Sequence, residues 1–276
     1  MKVGEYEVRV ISDGSLWLDG GAMFGIVPKV LWSKLTKPDR KNRIHLGISL
    51  LLIEGHGKKI LVDTGFGKEW SEKERKIYGM EDVGMVEKRL QTLGIDVSDI
   101  DYVVNTHLHF DHAGGNCVDG EPVFKNAKYI IQKQELEVAL NPNSYSASSY
   151  RKGDLQPLID RKQFQVVDGE YEILTGIKLL RTDGHTKGHQ AVLIQSGRMT
   201  VFYPADLVPT RFHLNIPYIM GYDLYPEKTV EMKTRFLEQG FREKWIFVFE
   251  HNVDANFWRL EKKNERFKAQ LLEDVE

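Results

Sequence analysis

The chain has a single cysteine, Cys117, in 276 residues. No internal disulfide can form, which excludes a disulfide-stapled secreted scaffold and fits a reducing cytoplasm, the expected location. Charge of one sign is also lacking: 38 Lys and Arg stand against 40 Asp and Glu. That balance argues against a polyanion such as nucleic acid as partner, and the basic run from Lys37 to Arg43 is short enough to read as a solvated loop. No stretch approaches the roughly 20 apolar residues of a membrane span, and Met1-Lys2-Val3-Gly4-Glu5 lacks the apolar core of a signal peptide. A membrane partner is therefore not expected. There is no Gly-x-Ser-x-Gly elbow, no phosphate-cradling glycine loop and no internal repeat beyond a weak two-half pattern. What is present is a chain of ordinary globular composition, 41% hydrophobic and 28% charged, expected to form one domain over residues 1–276.

One run concentrates the chemistry. Asn105-Thr106-His107-Leu108-His109-Phe110-Asp111-His112-Ala113-Gly114-Gly115 places three imidazoles and a carboxylate within six residues, just after the strand-like Tyr102-Val103-Val104. Packing has no use for such a cluster, because every buried polar ring needs a hydrogen-bond partner. A divalent metal does, since imidazole and carboxylate are the ligands that suit zinc and its neighbours. If the strand continues, His107 and His109 project to the same side. Asp111 and His112 then follow where Gly114 and Gly115 let the chain turn, within reach of a second metal.

Three later segments repeat the arrangement, each a short β-rich run with a candidate ligand at its C-terminal end. Ile177 to Thr182 leads into Asp183-Gly184-His185-Thr186-Lys187-Gly188-His189, Met199 to Tyr203 leads to Asp206, and Trp245 to Phe249 leads to Glu250-His251-Asn252. Open α/β sheets place ligand sites at the carboxyl ends of strands. The expected constellation is His107, His109, His185 and Asp206 around one metal, and Asp111, His112, Asp206 and His251 around the other, with Asp206 bridging.

In order and spacing, the His-x-His-x-Asp-His run, the Gly-His-Thr-x-Gly-His run, Asp206 and His251 resemble the metallo-β-lactamase superfamily. Ile60-Leu61-Val62-Asp63-Thr64-Gly65 is similar to its early strand and turn. Within it, Asp19 to Gly25 and Asp206 to Thr210 resemble a branch of homoserine-lactone lactonases and organophosphate hydrolases. The resemblance implies a four-layer αβ/βα sandwich of two similar halves, about 1–140 and 165–276, with the metals at one edge. It implies two divalent ions, Zn2+ first, with Mn2+, Co2+ or Fe2+ as alternatives. His189 and Asp63 become supporting residues, Asp63 accepting a hydrogen bond from a ligand histidine.

The coarse pattern agrees at the level of an α/β class. Strands are expected near residues 46–54, 59–63, 101–105, 177–182, 191–195, 199–203 and 245–249. Helices are expected over Lys228–Gln239 closed by Gly240, Asn256–Glu273, and Glu81–Leu93 closed by Gly94. Residues 141–157, rich in Asn, Ser and Pro, read as a loop joining the halves. Cys117 reads as a small residue packed behind the metal motif rather than a thiolate ligand.

Chemistry follows from the charges. A water held between two cations ionises near neutral pH, and the bridging hydroxide attacks a carbonyl or phosphoryl centre. Asp111 is assigned to carry the proton to the leaving group, so Asp111 and Asp206 are the expected catalytic carboxylates. The expected substrate is a small, largely apolar lactone, ester or phosphotriester. Two apolar stretches are candidates for its pocket: Gly21 to Pro28, with Phe24 and Ile26, and the segment after Asp206, with His213, Tyr218 and Tyr222. The first stretch equally suits core packing or a homodimer contact. Lactonases of the branch carry a tyrosine three residues after the bridging aspartate, where this chain has Pro209. The alternatives are a mononuclear-iron sulfur dioxygenase-like oxidoreductase and a thioester hydrolase of the hydroxyacylglutathione type.

Overall fold

The computed structural model of the chain describes residues 1–273. Its first half opens with β1 (Lys2–Val3), β2 (Tyr6–Asp19), β3 (Arg43–Gly55), β4 (Lys58–Val62) and β5 (Tyr102–Val104). A two-strand ribbon follows, β6 (Cys117–Val118) with β7 (Glu121–Pro122), and then β8 (Lys128–Gln132) and β9 (Phe164–Val167). All but the ribbon form one seven-stranded sheet in the order β1-β2-β3-β4-β5-β8-β9, parallel from β4 onward. The second sheet runs in chain order: β10 (Tyr171–Leu174), β11 (Ile177–Arg181), β12 (Gln190–Ser196), β13 (Met199–Tyr203), β14 (Ile246–Phe247), β15 (Trp258–Lys263) and β16 (Arg266–Leu271).

The period of two in the strands decides which face meets which neighbour. Leu51, Ile53, Ile60 and Val62 of the first sheet pack with Leu179, Val192, Ile194, Val201 and Tyr203 of the second, forming the layer between the sheets. Their alternates turn outward. Leu50, Leu52 and Leu61 pack on a cluster that takes in Phe24 and Trp32 from α1 (Gly20–Phe24) and α2 (Lys29–Trp32). After α3 (Glu72–Tyr78) comes α4 (Val86–Thr92), whose Val86 and Leu90 join the same cluster. Next come α5 (Phe110–Ala113), α6 (Lys133–Leu140) and α7 (Gln156–Asp160). On the other side Phe202 and Phe247 meet Met232, Phe236 and Leu237 of α8 (Pro226–Arg242). Helix, sheet, sheet, helix is the four-layer α/β sandwich expected from the resemblance.

Several expectations are corrected. The segment Asn256–Glu273 is the hairpin β15–β16, not a helix. Trp258, Leu260, Phe267 and Ala269 alternate along it toward the α8 layer, and Asn264 and Glu265 both take positive φ (49° and 60°), the geometry of a two-residue hairpin turn. Within Glu81–Leu93 only Val86–Thr92 is helical, because Glu81 instead bonds to Ser15 across an isolated bridge. The helix expected to stop at Gly240 runs to Arg242. A Cβ at Gly240 would lie 2.5 Å from Phe247 Cζ, so that glycine serves close packing. The long strand β2 was not among the expected elements. The halves divide later than expected: β9 still pairs with β8, so the switch falls at residues 168–170 and the 141–157 loop belongs to the first half.

Candidate metal centre

Every candidate ligand follows the C-terminal end of a strand: His107 to His112 after β5, His185 after β11, Asp206 after β13 and His251 after β14. Gly114 and Gly115 have a role beyond turning the chain. A Cβ at either position would lie 2.3 or 2.2 Å from the carbonyl oxygens of Phe66 and Thr64. Their absence lets the α5 turn lie against the loop that carries Asp63. Ala205 has φ 47°, a left-handed conformation that costs an alanine about 1–2 kcal/mol. It turns the chain sharply out of β13 just before Asp206.

The side chains converge. Ligand-type atoms of His107, His109, His185 and Asp206 lie within 4.8 Å of one another, and so do those of Asp111, His112 and His251. All seven residues are buried. His109 Nδ1 lies 3.1 Å from both His107 Nε2 and His185 Nε2. Asp206 spans the two groups, with Oδ2 3.0 Å from His185 Nε2 and Oδ1 3.0 Å from His251 Nε2. It also lies 3.6 Å from His112 Nε2 and 3.7 Å from His107 Nε2. Asp111 stands 3.9 Å from both His112 and His251.

Partners on the far side of the rings set which nitrogen faces inward. His112 Nδ1–H donates to Asp63 Oδ2 at 3.1 Å, with Glu250 Oε1 equally close. His185 Nδ1–H donates to Asp223 Oδ1 at 2.9 Å, and His251 Nδ1–H to the Gly47 carbonyl at 3.0 Å. Each therefore presents an Nε2 lone pair to the cluster. His189 stands behind: its Nε2 accepts the Asp206 backbone N–H at 3.2 Å, so Nδ1 carries the proton and faces Thr182 Oγ1 at 2.6 Å. Asp63, at φ 59°, also accepts the Thr106 backbone N–H and hydroxyl, both at 2.7 Å.

A divalent cation fits these groups. His112 Nε2 and Asp206 Oδ1 are buried with no hydrogen-bond partner, although Asp206 Oδ1 lies 3.0 Å from His251 Nε2. Close approach without hydrogen-bond geometry is how two ligands of one cation meet. Ligands 2.0–2.1 Å from a tetrahedral zinc lie about 3.3 Å apart, close to the separations seen. Among the protein groups alone the ring protonations diverge. Burial holds His107, His109 and His189 well below the usual imidazole value. For His185 and His251 burial is outweighed by neighbouring carboxylates, Asp206 foremost, which raise them to about 10 and about 9. Nitrogen donors beside excess buried carboxylate suit a cation that both can ligate.

Above the cluster is a cavity of about 160 Å³. His109, Asp111, His185, Asp206 and His251 line its base, and Leu18, Met23, Phe110, Met220 and Leu224 give apolar walls. Tyr78, Tyr222 and the 141–157 loop, through Tyr145, Ser148 and Ser149, complete it. Tyr145 donates to the Gly221 carbonyl at 2.7 Å, tying that loop to the opposite wall.

Of the five expected pocket residues only Tyr222 lines this cavity. Phe24 is buried beneath it, stacked on Trp32 and on His213 at centroid distances of 5.4 and 4.5 Å. His213 is locked by Thr210 Oγ1 and the Met23 carbonyl, and Tyr218 packs edge-on against Phe24. Ile26 is 90% exposed on the outer surface. Cys117 is buried, its thiol donating to the Asp154 carbonyl. The sequence reading did not single out Glu250, Asp223 or Glu135, whose roles rest on contacts distant in the chain; Glu250 adjoins His251, its one local signal.

The profile of the metallo-β-lactamase superfamily matches residues 45–251. The chain belongs to that superfamily. An N-acyl homoserine lactonase of Bacillus cereus is 30% identical to this superfamily member over 227 residues, covering 77% of this chain and 84% of the lactonase. A probable metal-dependent hydrolase from Staphylococcus aureus superposes with a TM-score of 0.93 at 29% identity, covering all of both chains. An N-acyl homoserine lactone hydrolase with N-hexanoyl-L-homoserine bound at its catalytic metal centre superposes at 0.73 with 26% identity, covering 92% of this chain and 95% of its own. With lactonases as homologues and hydrolases as structural neighbours, this member of the superfamily is a metal-dependent hydrolase. No helix among the described residues is long and apolar enough to cross a membrane.

Proposed function

We propose that the chain hydrolyses small, largely apolar lactones, with N-acyl homoserine lactones as the first class to try and esters and phosphotriesters beside them. Two divalent cations, zinc by preference, would be held by His107, His109, His185 and Asp206 and by Asp111, His112, His251 and Asp206. When bound, such a pair supplies a nucleophile at neutral pH and polarises the oxygen that gains charge. The single observation carrying this reading is the cavity whose base is the His/Asp cluster and whose walls are Leu18, Met23, Phe110, Met220 and Leu224.

The protein groups divide the remaining work. Apolar walls hold the acyl arm and exclude water around it. Asp111 borders the cavity beside His112 and His251, positioned to carry a proton to the departing alkoxide. Tyr222 offers a phenol where Pro209 cannot, and donates to a substrate oxygen. Asp206 touches both groups and sets their separation.

Elemental mass spectrometry of the purified protein, followed by a lactone, ester and phosphotriester panel, tests the reading. About two zinc, manganese or cobalt ions per chain with lactone turnover is the expected result. About one iron and no hydrolysis would replace it with mononuclear oxygen chemistry. Asp206→Ala should lose both ions and turnover; retention of two ions would reject the bridging role.

A further inference from the structure

Buried groups stand behind both halves of the cluster, some shared and some not. Asp63 accepts from His112, Glu250 lies 3.1 Å from the same His112 nitrogen, and the Gly47 carbonyl accepts from His251. Glu250 and the Gly47 carbonyl reach none of His107, His109 and His185, whereas Asp63 serves both sides through Thr106, whose hydroxyl lies 3.2 Å from His107 Nδ1 and 3.3 Å from His112 Nδ1, and Asp223 holds His185 directly. Behind that second trio lies Glu135, a fully buried carboxylate of α6. Its Oε1 accepts the backbone N–H of Leu108, between the two histidines, at 3.0 Å. The same oxygen accepts the Tyr150 hydroxyl at 3.2 Å, and the Tyr150 ring packs edge-on against His109 with centroids 4.9 Å apart. Its Oε2 accepts the hydroxyl of Thr186, the residue after His185.

One side chain thus clamps two loops that leave different sheets. Three donors converge on it, and an ionised carboxylate is an acceptor-only group with two oxygens to receive them. A residue serving only to fill space here would be apolar, because a buried carboxylate is tolerated only when fully hydrogen-bonded. The seat is tight as well: a Cβ at Gly188 would lie 2.3 Å from the Glu135 nitrogen. That close approach accounts for the second glycine of the Gly-His-Thr-x-Gly-His run.

We propose that Glu135 is a positioning residue of the His107/His109/His185 group and not of the other, so that this cation site can be loosened while the second keeps its own support. The proposal rests on the dinuclear reading above. Asp206 is the one ligand shared between the groups, and Glu135 does not contact it in the hydrogen-bond network.

Zinc release from the zinc-loaded protein into a chromogenic chelator tests it, without reference to turnover. The variants are Thr186→Val, which removes one donor from the clamp, Glu135→Gln, which keeps one acceptor, and Glu250→Gln on the other side. In Thr186→Val one ion should leave about 10–100-fold faster, the usual effect of losing such support, while the other keeps its wild-type rate. Glu135→Gln should give a smaller acceleration of the same single phase. Thr186→Val combined with Glu250→Gln should make both phases fast. Equal acceleration of both ions in Thr186→Val, no acceleration, or a double variant with only one fast phase would overturn the proposal. Should Glu135→Gln fail to fold, Thr186→Val carries the test alone. A wild-type chain that takes up only one ion refutes the dinuclear reading, and the proposal falls with it; two ions with unselective release refute the proposal only.

Discussion

Lys233 provides a test of the fold around the cavity that needs no cation. It lies fully buried in α8, and its Nζ donates to the carbonyls of Asn215 at 2.9 Å and Tyr218 at 2.7 Å. The ammonium thereby clips the turn that leads to Met220 and Tyr222 of the cavity wall. Burial draws its pKa down from 10.5 to about 7, with Asp223 opposing. Below about pH 7 both folded and unfolded chains carry the proton. Between about 7 and 10.5 the unfolded chain binds a proton that the folded chain has released, so this lysine makes stability rise with pH. The interval of 10.5 − 7, about 3.5 units, corresponds at 1.36 kcal/mol per unit to a ceiling near 5 kcal/mol. Lys233→Met keeps the unbranched shape without the titration. Urea denaturation of both proteins at several pH values from 7 to 10 isolates the effect, because every other titration cancels in the difference. Wild-type stability should gain on the variant by up to about 1.4 kcal/mol per pH unit, flattening near 10.5. Parallel curves would show that Lys233 stays charged in the folded state and refute the reasoning.

Phe24→Ala removes a fully buried ring stacked between Trp32 and His213. It should cost about 3–5 kcal/mol in denaturant titrations and raise KM equally for short and long acyl chains. Met23→Ala, which opens the cavity wall itself, should raise KM more for long chains than for short ones; a uniform rise would remove Met23 from the acyl site. Asp13→Ala strips the acceptor from the backbone N–H groups of Phe66, Met85 and Val86. Three orphaned donors should cost on the order of 3 kcal/mol or more, seen as a lower unfolding midpoint, with Asp13→Asn restoring part of the loss.

How legible the site was in the sequence depended on how local its chemistry is. His107, His109, Asp111 and His112 lie within six residues, and His185, Asp206 and His251 each follow a recognisable strand, so their clustering was readable. But β5 stops at Val104, so the strand alternation expected to align His107 and His109 does not reach them, and the loop and the start of α5 bring them together instead. Asp63 and His189 were read through resemblance alone; Asp63 lies 3.1 Å from His112 Nδ1 and His189 accepts the Asp206 backbone N–H. Glu135 and Asp223 act across the fold, and nothing around them in the chain distinguishes a buried acceptor from a surface carboxylate; Glu250 has only its neighbour His251 as a signal. Phe24 and His213 failed as pocket residues for the converse reason. An apolar stretch between glycines packs inward or outward according to tertiary neighbours, and here it opens with the short helix α1, whose Phe24 is covered by Trp32 while Ile26 stays exposed. In the β15–β16 hairpin the apolar positions satisfy helical spacing and alternation alike. The turn at Asn264-Glu265 settles the choice.

The tie from Tyr145 to the Gly221 carbonyl joins two walls of the cavity through a single hydrogen bond at an exposed side chain. The loop that carries it supplies Tyr145, Ser148 and Ser149 to the cavity but no metal ligand, and none of these three joins a hydrophobic core cluster. Under the proposed function, this part of the cavity wall is thus separate in the chain from the cluster, whereas Phe110 of the same wall sits between His109 and Asp111. Exchange of residues 143–149 would alter one wall of the cavity without changing any residue of the His/Asp cluster or of the two sheets.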